Sequence, residues 1–212
     1  DVVRNTRDFR PESYRLVDLD SEDAIDIGES LGTADNWAAR KQVVLKNVTE
    51  SFGSLIEDSQ NPRLFTSLAT YRPREVVDMV WEEEESRTWG AGKLEALKQG
   101  GLFEEAGRSV KPVRKLPFKF RFHFLDEGGK LRKLMIEDWE TGALFWRQFD
   151  QHGDEELACQ EVREKYMNEI VAKCELYFFL GTTKAYHLGA KNPFLIIGAF
   201  YPRIERQLKL FE

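Results

Sequence analysis

An α+β fold, an antiparallel sheet with packed helices, is expected from three features of this 212-residue chain. The first is the run P-F-K-F-R-F-H-F-L over Pro117–Leu125. Phe118, Phe120, Phe122 and Phe124 alternate strictly with Lys119, Arg121 and His123, and only a β-strand repeats with a period of two. The second is the turn sequence Asp126-Glu127-Gly128-Gly129, which joins that run to a second strand over 130–137. The third is the order of elements in the C-terminal half, β-β-α-α-β-β, which suits an antiparallel sheet with its helices grouped together.

In chain order, residues 5–13 read as a polar loop, and Tyr14–Leu19 and Ala24–Leu31 as short strands. Asp35 caps an expected helix over Asn36–Val48, with Trp37, Val44, Leu45 and Val48 as its apolar stripe. A second helix over Phe52–Asp58 carries Phe52, Leu55 and Ile56, and Pro62 lies in the loop beyond it. Strands at Leu64–Tyr71 and Glu75–Trp81 are joined through Arg72-Pro73-Arg74. Gly90–Gln99 reads as a helix stopped by Gly100-Gly101. The charged segment 104–116 reads as a linker between a mixed α/β lobe, 1–103, and an α+β lobe, 117–212; one continuous domain is the alternative. After the hairpin, a short helix over 140–149 carries Leu144, Phe145, Trp146 and Phe149. Asp154 caps a longer helix reaching about Lys173. Glu175–Leu180 and Phe194–Tyr201 read as strands, the second apolar enough to be buried on both faces.

Composition suits a globular chain with a large core: 42% hydrophobic residues, 15 Phe and 5 Trp. No apolar run approaches the ~20 residues that span a bilayer, and no signal-peptide pattern opens the chain. A soluble, cytoplasmic protein without a membrane partner is expected. The chain begins at Asp1 rather than Met, and further residues are expected ahead of it in the native protein. Cys159 and Cys174 make neither a disulfide framework nor a zinc site and read as reduced thiols. The histidines are His123, His152 and His187, with no His-x-x-x-His, so zinc and nucleophilic chemistry are not indicated.

Net charge is −6, yet residues 111–137 hold 8 Lys and Arg against 3 Asp and Glu, a local +5. Clustered cations bind phosphate by releasing counterions, so this basic island is the first candidate for a nucleic-acid or anion site. Its cations are Lys119, Arg121, His123, Lys130, Arg132 and Lys133. The opposed reading is a half-exposed strand whose outer face is solvated or paired with acids. The run Glu82-Glu83-Glu84-Glu85 reads as a solvated strand end or loop.

Three further constellations carry chemistry. Glu137, Asp138 and Glu140 stand at the end of the second hairpin strand, where carboxylates can hold Mg²⁺ for phosphodiester cleavage. The competing role is helix capping. Leu180-Gly181-Thr182-Thr183-Lys184 with His187 offers amides, hydroxyls and cations to a phosphate, although the P-loop spacing is absent. Arg72 and Arg74 flank Pro73, which holds Arg72 extended; they read as phosphate forks or as one side of buried ion pairs.

Several short blocks spread over nearly the whole chain carry a resemblance: Arg10-Pro11-Glu12-Ser13-Tyr14-Arg15, Tyr71-Arg72-Pro73-Arg74-Glu75-Val76, Leu116-Pro117-Phe118-Lys119-Phe120, Asp138-Trp139-Glu140, Phe179-Leu180-Gly181-Thr182 and Gly198-Ala199-Phe200-Tyr201-Pro202. Together they resemble an uncharacterised group of prokaryotic proteins with no assigned activity. The resemblance implies a prokaryotic, soluble protein. Members of that group have a Cys- and His-containing insertion where this chain has only Asp126–Lys133, so no zinc role carries over. The leading expectation is a nucleic-acid-associated binding or accessory protein that meets DNA or RNA through the 117–133 hairpin and the 181–191 loop. The alternatives are a metal-dependent phosphodiesterase using Mg²⁺, and a protein–protein interaction module whose acidic surface, 1–110, contacts a basic partner.

Overall fold

The computed structural model describes residues 2–3, 15–16, 37–90, 114–183, 185–187 and 189–204. The expected strand over 24–31, most of the helix over 90–99 and most of the segment 104–116 lie outside them. Two short strands, β1 (Val2–Val3) and β2 (Arg15–Leu16), pair antiparallel. Helix α1 (Trp37–Leu45) leads to β3 (Val48–Thr49). Helix α2 (Phe52–Gln60) starts where the Ser51 hydroxyl accepts the Ser54 N–H at 3.2 Å. It buries Phe52, Leu55 and Ser59. Strands β4 (Leu68–Tyr71), β5 (Glu75–Glu83), β6 (Phe118–Leu125) and β7 (Leu131–Met135) follow.

The α3 helix (Trp139–His152) is capped by Asp138 and ends at Gly153, whose φ of 69° is the left-handed geometry that closes a helix and favours glycine. One residue later Asp154 caps α4 (Glu155–Glu164), whose side chain accepts the Leu157 N–H at 3.0 Å. The helix expected to reach Lys173 changes character midway. Over Lys165–Val171 it is π-helical, with Ala172 N–H bonded to Met167 O, five residues back. Strands β8 (Tyr177–Thr182) and β9 (Phe194–Phe200) are the last elements among the described residues.

The main strands form two sheets, so the fold is α+β. One has the order β3-β4-β8-β9, antiparallel except for the parallel β3–β4 pair. The other, β5-β6-β7, is wholly antiparallel. They are stitched together just after β7: Ile136 N–H bonds Phe120 O at 3.0 Å, and Glu137 N–H bonds Ile196 O at 2.8 Å. Each sheet takes strands from both sides of residues 104–116, because β4 pairs with β8 and β5 with β6. Residues 48–83 and 117–200 therefore build one shared core.

The alternation of β6 holds residue for residue: Phe118, Phe120, Phe122 and Phe124 are buried, while Lys119, Arg121, His123 and Leu125 are half-buried. Phe122 packs edge-on to Tyr166 and 5.2 Å from Phe178, centroid to centroid. Phe124 packs against Phe52, Tyr71 and Phe178. One strand thus meets both the helical layer and the second sheet. Strand β9 departs from expectation. It lies at an edge of its sheet, and Ile197 is exposed, so only one of its faces is covered throughout.

Candidate functional site

The basic island is largely neutralised within its own sheet. Arg121 forms an ion pair with Glu82, and Lys119 with Glu84 at 3.3 Å. The hydrogen bond from Arg121 holds Glu82 below the usual carboxylate range. The glutamate run does lie at an exposed strand end, β5 closing at Glu83, but two of its members, Glu82 and Glu84, are also paired with the cationic face. Burial, with the charges of Lys133 and Arg121 alongside, lowers His123 below an ordinary histidine and favours its neutral form. Its cross-strand neighbour Asp78 is paired with Arg163 at 2.8 Å. Lys130 and Lys133 are exposed.

Arg132 is not on the cationic face. The register sets it opposite Phe124, on the core side of β7. There its Nε donates to Asp126 at 2.7 Å and its guanidinium lies 5.0 Å from the centre of the Phe52 ring. A one-residue difference in register decides which face a strand residue takes, and the five-residue turn sets it.

The carboxylates at the end of β7 take structural positions. Asp138 accepts the Glu140 N–H at 3.1 Å as the cap of α3. Glu137 is exposed, and Glu140 lies in the first turn of α3, where the helix dipole favours an acid. Among the described residues no group of three His, Cys, Asp or Glu is placed to hold a metal ion.

The expected phosphate loop does not form around Gly181. That residue is inside β8, paired with Leu68 on one side and Leu195 on the other. A Cβ there would meet Ile197 Cγ2 at 3.0 Å, so the glycine admits the Ile197 side chain rather than an anion. Thr182 and His187 share a hydrogen bond of 2.7 Å, and His187 Nε2 lies 2.7 Å from Ser59 O. A carbonyl only accepts, so Nε2 carries the proton. His187 is fully buried, and both ring nitrogens bind the protein itself. Lys184 lies outside the described residues. Arg72 lies 5.6 Å from the centre of the Tyr177 ring, and Arg74 stands beside Gly129 in the hairpin turn. Among the described residues Arg72, Arg121, Arg132 and His187 thus each have separate local partners.

A different surface gathers rings and cations. One face of α3 carries Trp139, Ala143 and Arg147 at four-residue spacing, and the π-helical turn carries Lys165, Tyr166 and Ile170. Together with Tyr201 they enclose an open cleft of about 300 Å³. A second cleft of about 650 Å³ shares Lys165, Ile170 and Tyr201 with the first and adds Glu169, Lys173, Cys174 and Arg203. Trp139 is 78% exposed. Lys165 is paired with Glu169. Arg147, Lys173 and Arg203 have no carboxylate in ion-pair contact among the described residues. The floor is set by Tyr166, buried and bonded through its hydroxyl to Thr141 at 2.8 Å. Burial raises the Tyr166 hydroxyl above the ordinary tyrosine range, and burial with the nearby Glu140 does the same for Tyr201.

Sequence reading missed this cleft. Its walls come from three separated stretches, 139–147, 165–174 and 201–203, and the π-helical turn that supplies Lys165, Tyr166 and Ile170 has no simple sequence signature. The one legible signal was the Trp139–Ala143–Arg147 ladder on a single helical face.

The architecture is that of an α+β domain whose stitched sheets are flanked by helices that frame an open, cation-bearing cleft. The chain belongs to DUF8757, a domain-of-unknown-function family whose model matches residues 48–212, from β3 to the end of the chain. No curated protein and no solved structure matches it. Among the described residues no helix is long and apolar enough to cross a membrane.

Proposed function

We propose that this chain is a nucleic-acid-associated binding or accessory protein, and that its contact surface is the α3–π-helix cleft rather than the 117–133 hairpin. One observation carries the reading: at the cleft, cations without carboxylate partners among the described residues share a surface with the exposed ring of Trp139 and the half-buried ring of Tyr201. Arg147, Lys173 and Arg203 supply charge beside Trp139 and Tyr201. Sites that hold nucleic acid without reading its sequence combine these two groups. On the hairpin the two are separated, because its rings are in the core and its leading cations are bound to Glu82 and Glu84. The net charge of −6 weakens long-range attraction but does not cancel a local patch at ordinary salt, where charges are screened within about 8–10 Å.

Fluorescence anisotropy with labelled DNA and RNA at about 50 and 200 mM salt tests the reading. Three phosphate contacts, from Arg147, Lys173 and Arg203, predict roughly a 20-fold loss of single-strand affinity between the two conditions. The charge reversals Arg147→Glu with Lys173→Glu should abolish binding, whereas Lys119→Glu with Arg121→Glu should leave most of it. Absence of binding at the lower salt would overturn the reading.

A further inference from the structure

We propose that the cleft takes single-stranded nucleic acid, with Trp139 as a stacking platform for a base and Arg147, Lys173 and Arg203 following the phosphates. This rests on the reading of the cleft as a nucleic-acid surface and specifies which form of nucleic acid fits it.

Trp139 is the most exposed of the large hydrophobic side chains among the described residues, at 78%. It occupies the first position of α3, directly after the capping Asp138. Among the described residues its indole belongs to no ring pair, in contrast to Trp146, which packs against Phe145 and Phe149. The ring lines a cleft that also holds Arg147 and Lys165 rather than standing alone on an open face.

The two clefts form one elongated surface, because they share Lys165, Ile170 and Tyr201. Trp139 and Arg147 stand at one end; Lys173 and Arg203 stand at the other. A chain of phosphates alternating with unpaired bases matches that order of ring and charge. A duplex does not, because its bases are stacked on one another and their faces cannot reach a wall-mounted ring without being unpaired first. The π-helical turn floors both parts of the surface, and such turns are found often at functional sites.

The test uses the full chain, oligo(dT) and oligo(U) of about 12 nucleotides, a matched duplex and inorganic polyphosphate at about 50 mM salt. Single strands are expected to bind more tightly than the duplex and to quench tryptophan fluorescence. Trp139→Ala should weaken single-strand binding about tenfold, while Trp139→Phe retains most of it and thermal melting stays unchanged. Tighter binding of the duplex would overturn the proposal. So would wild-type affinity in Trp139→Ala or equal affinity for polyphosphate, and these two results would leave the cleft standing as a plain anion surface, provided that Arg147→Glu still weakens binding. Failure of every nucleic acid to bind would instead remove the broader reading with it.

Discussion

Both carboxylate oxygens of Glu127 accept the backbone N–H of Phe52, each at 3.1 Å, across 75 residues of sequence. The turn of the β6–β7 hairpin thereby caps helix α2, and the same carboxylate accepts the Tyr71 hydroxyl at 3.1 Å. Burial by itself would raise the Glu127 pKa. Hydrogen bonds from the Ser51 hydroxyl, the Phe52 N–H and Tyr71 outweigh it and hold the group at about 2. The hairpin read at first as an anion-binding arm is, at its tip, the anion that a helix N-terminus requires.

Because the folded Glu127 has a depressed pKa, its stabilisation is full above the unfolded value near 4.5 and is lost as pH falls through about 2. Asp126, held low by Arg132 and the Lys130 N–H against the opposing effect of burial, adds in the same direction. Urea midpoints measured from pH 6 to 2 should therefore fall less steeply for Glu127→Gln than for the wild-type chain. At pH 7 the substitution should cost about 1 kcal/mol, the scale of a lost cap, since Glu127 is exposed and solvent screens its charge. Parallel pH profiles would contradict the cap.

The buried pair Thr141–Tyr166 should behave as a unit. Tyr166→Phe leaves the Thr141 hydroxyl without this partner and should destabilise by about 1–3 kcal/mol. Adding Thr141→Val removes the stranded hydroxyl and should recover much of that loss. Chemical denaturation of both single variants and the double gives the coupling; strictly additive losses would show that the bond is not the source.

For His187, stability and binding should separate. His187→Leu strips the partners from Ser59 O and Thr182 Oγ1 inside the core, at a cost of about 1–3 kcal/mol. Oligonucleotide affinity measured below the melting transition should not change. A large loss of affinity in a folded variant would return His187 to the binding surface.

Releasing the hairpin cations should create a site where the wild-type chain has little. Glu82→Gln with Glu84→Gln unpairs Arg121 and Lys119, so the affinity for nucleic acid should rise several-fold and the salt slope should steepen by about 1–2. The melting temperature should move by no more than about 2 °C, because such surface pairs contribute little to stability. Unchanged affinity would mean that those cations are unable to reach a phosphate even when unpaired.

Much of the local structure was legible because it depends on near neighbours. The period-two run of β6 fixed its buried face, and Asp138 and Asp154 marked the starts of α3 and α4 within one residue. Both respond to short-range geometry, which composition and spacing encode. The turn after β6 was legible as a turn, but not the register it sets. Strand β7 reads Leu-Arg-Lys-Leu-Met, with the Leu131, Lys133 and Met135 face the more apolar by composition, yet the observed pairing sends Arg132 inward against Asp126 and Phe52.

The amino-acid sequence alone determined the α+β class, the hairpin with its aromatic face, the capped helices and the presence of a basic island in an acidic chain. Tertiary structure alone decided what those charges do. Arg121 meets Glu82, Glu127 meets Phe52 and His187 meets Ser59 across 39, 75 and 128 residues respectively. Whether a cation is available to a ligand depends on which carboxylate the fold brings within a few ångströms, and no local pattern carries that information. The cleft of Trp139, Arg147, Lys173 and Arg203 arose the same way, from stretches far apart in sequence that packing brought onto one surface.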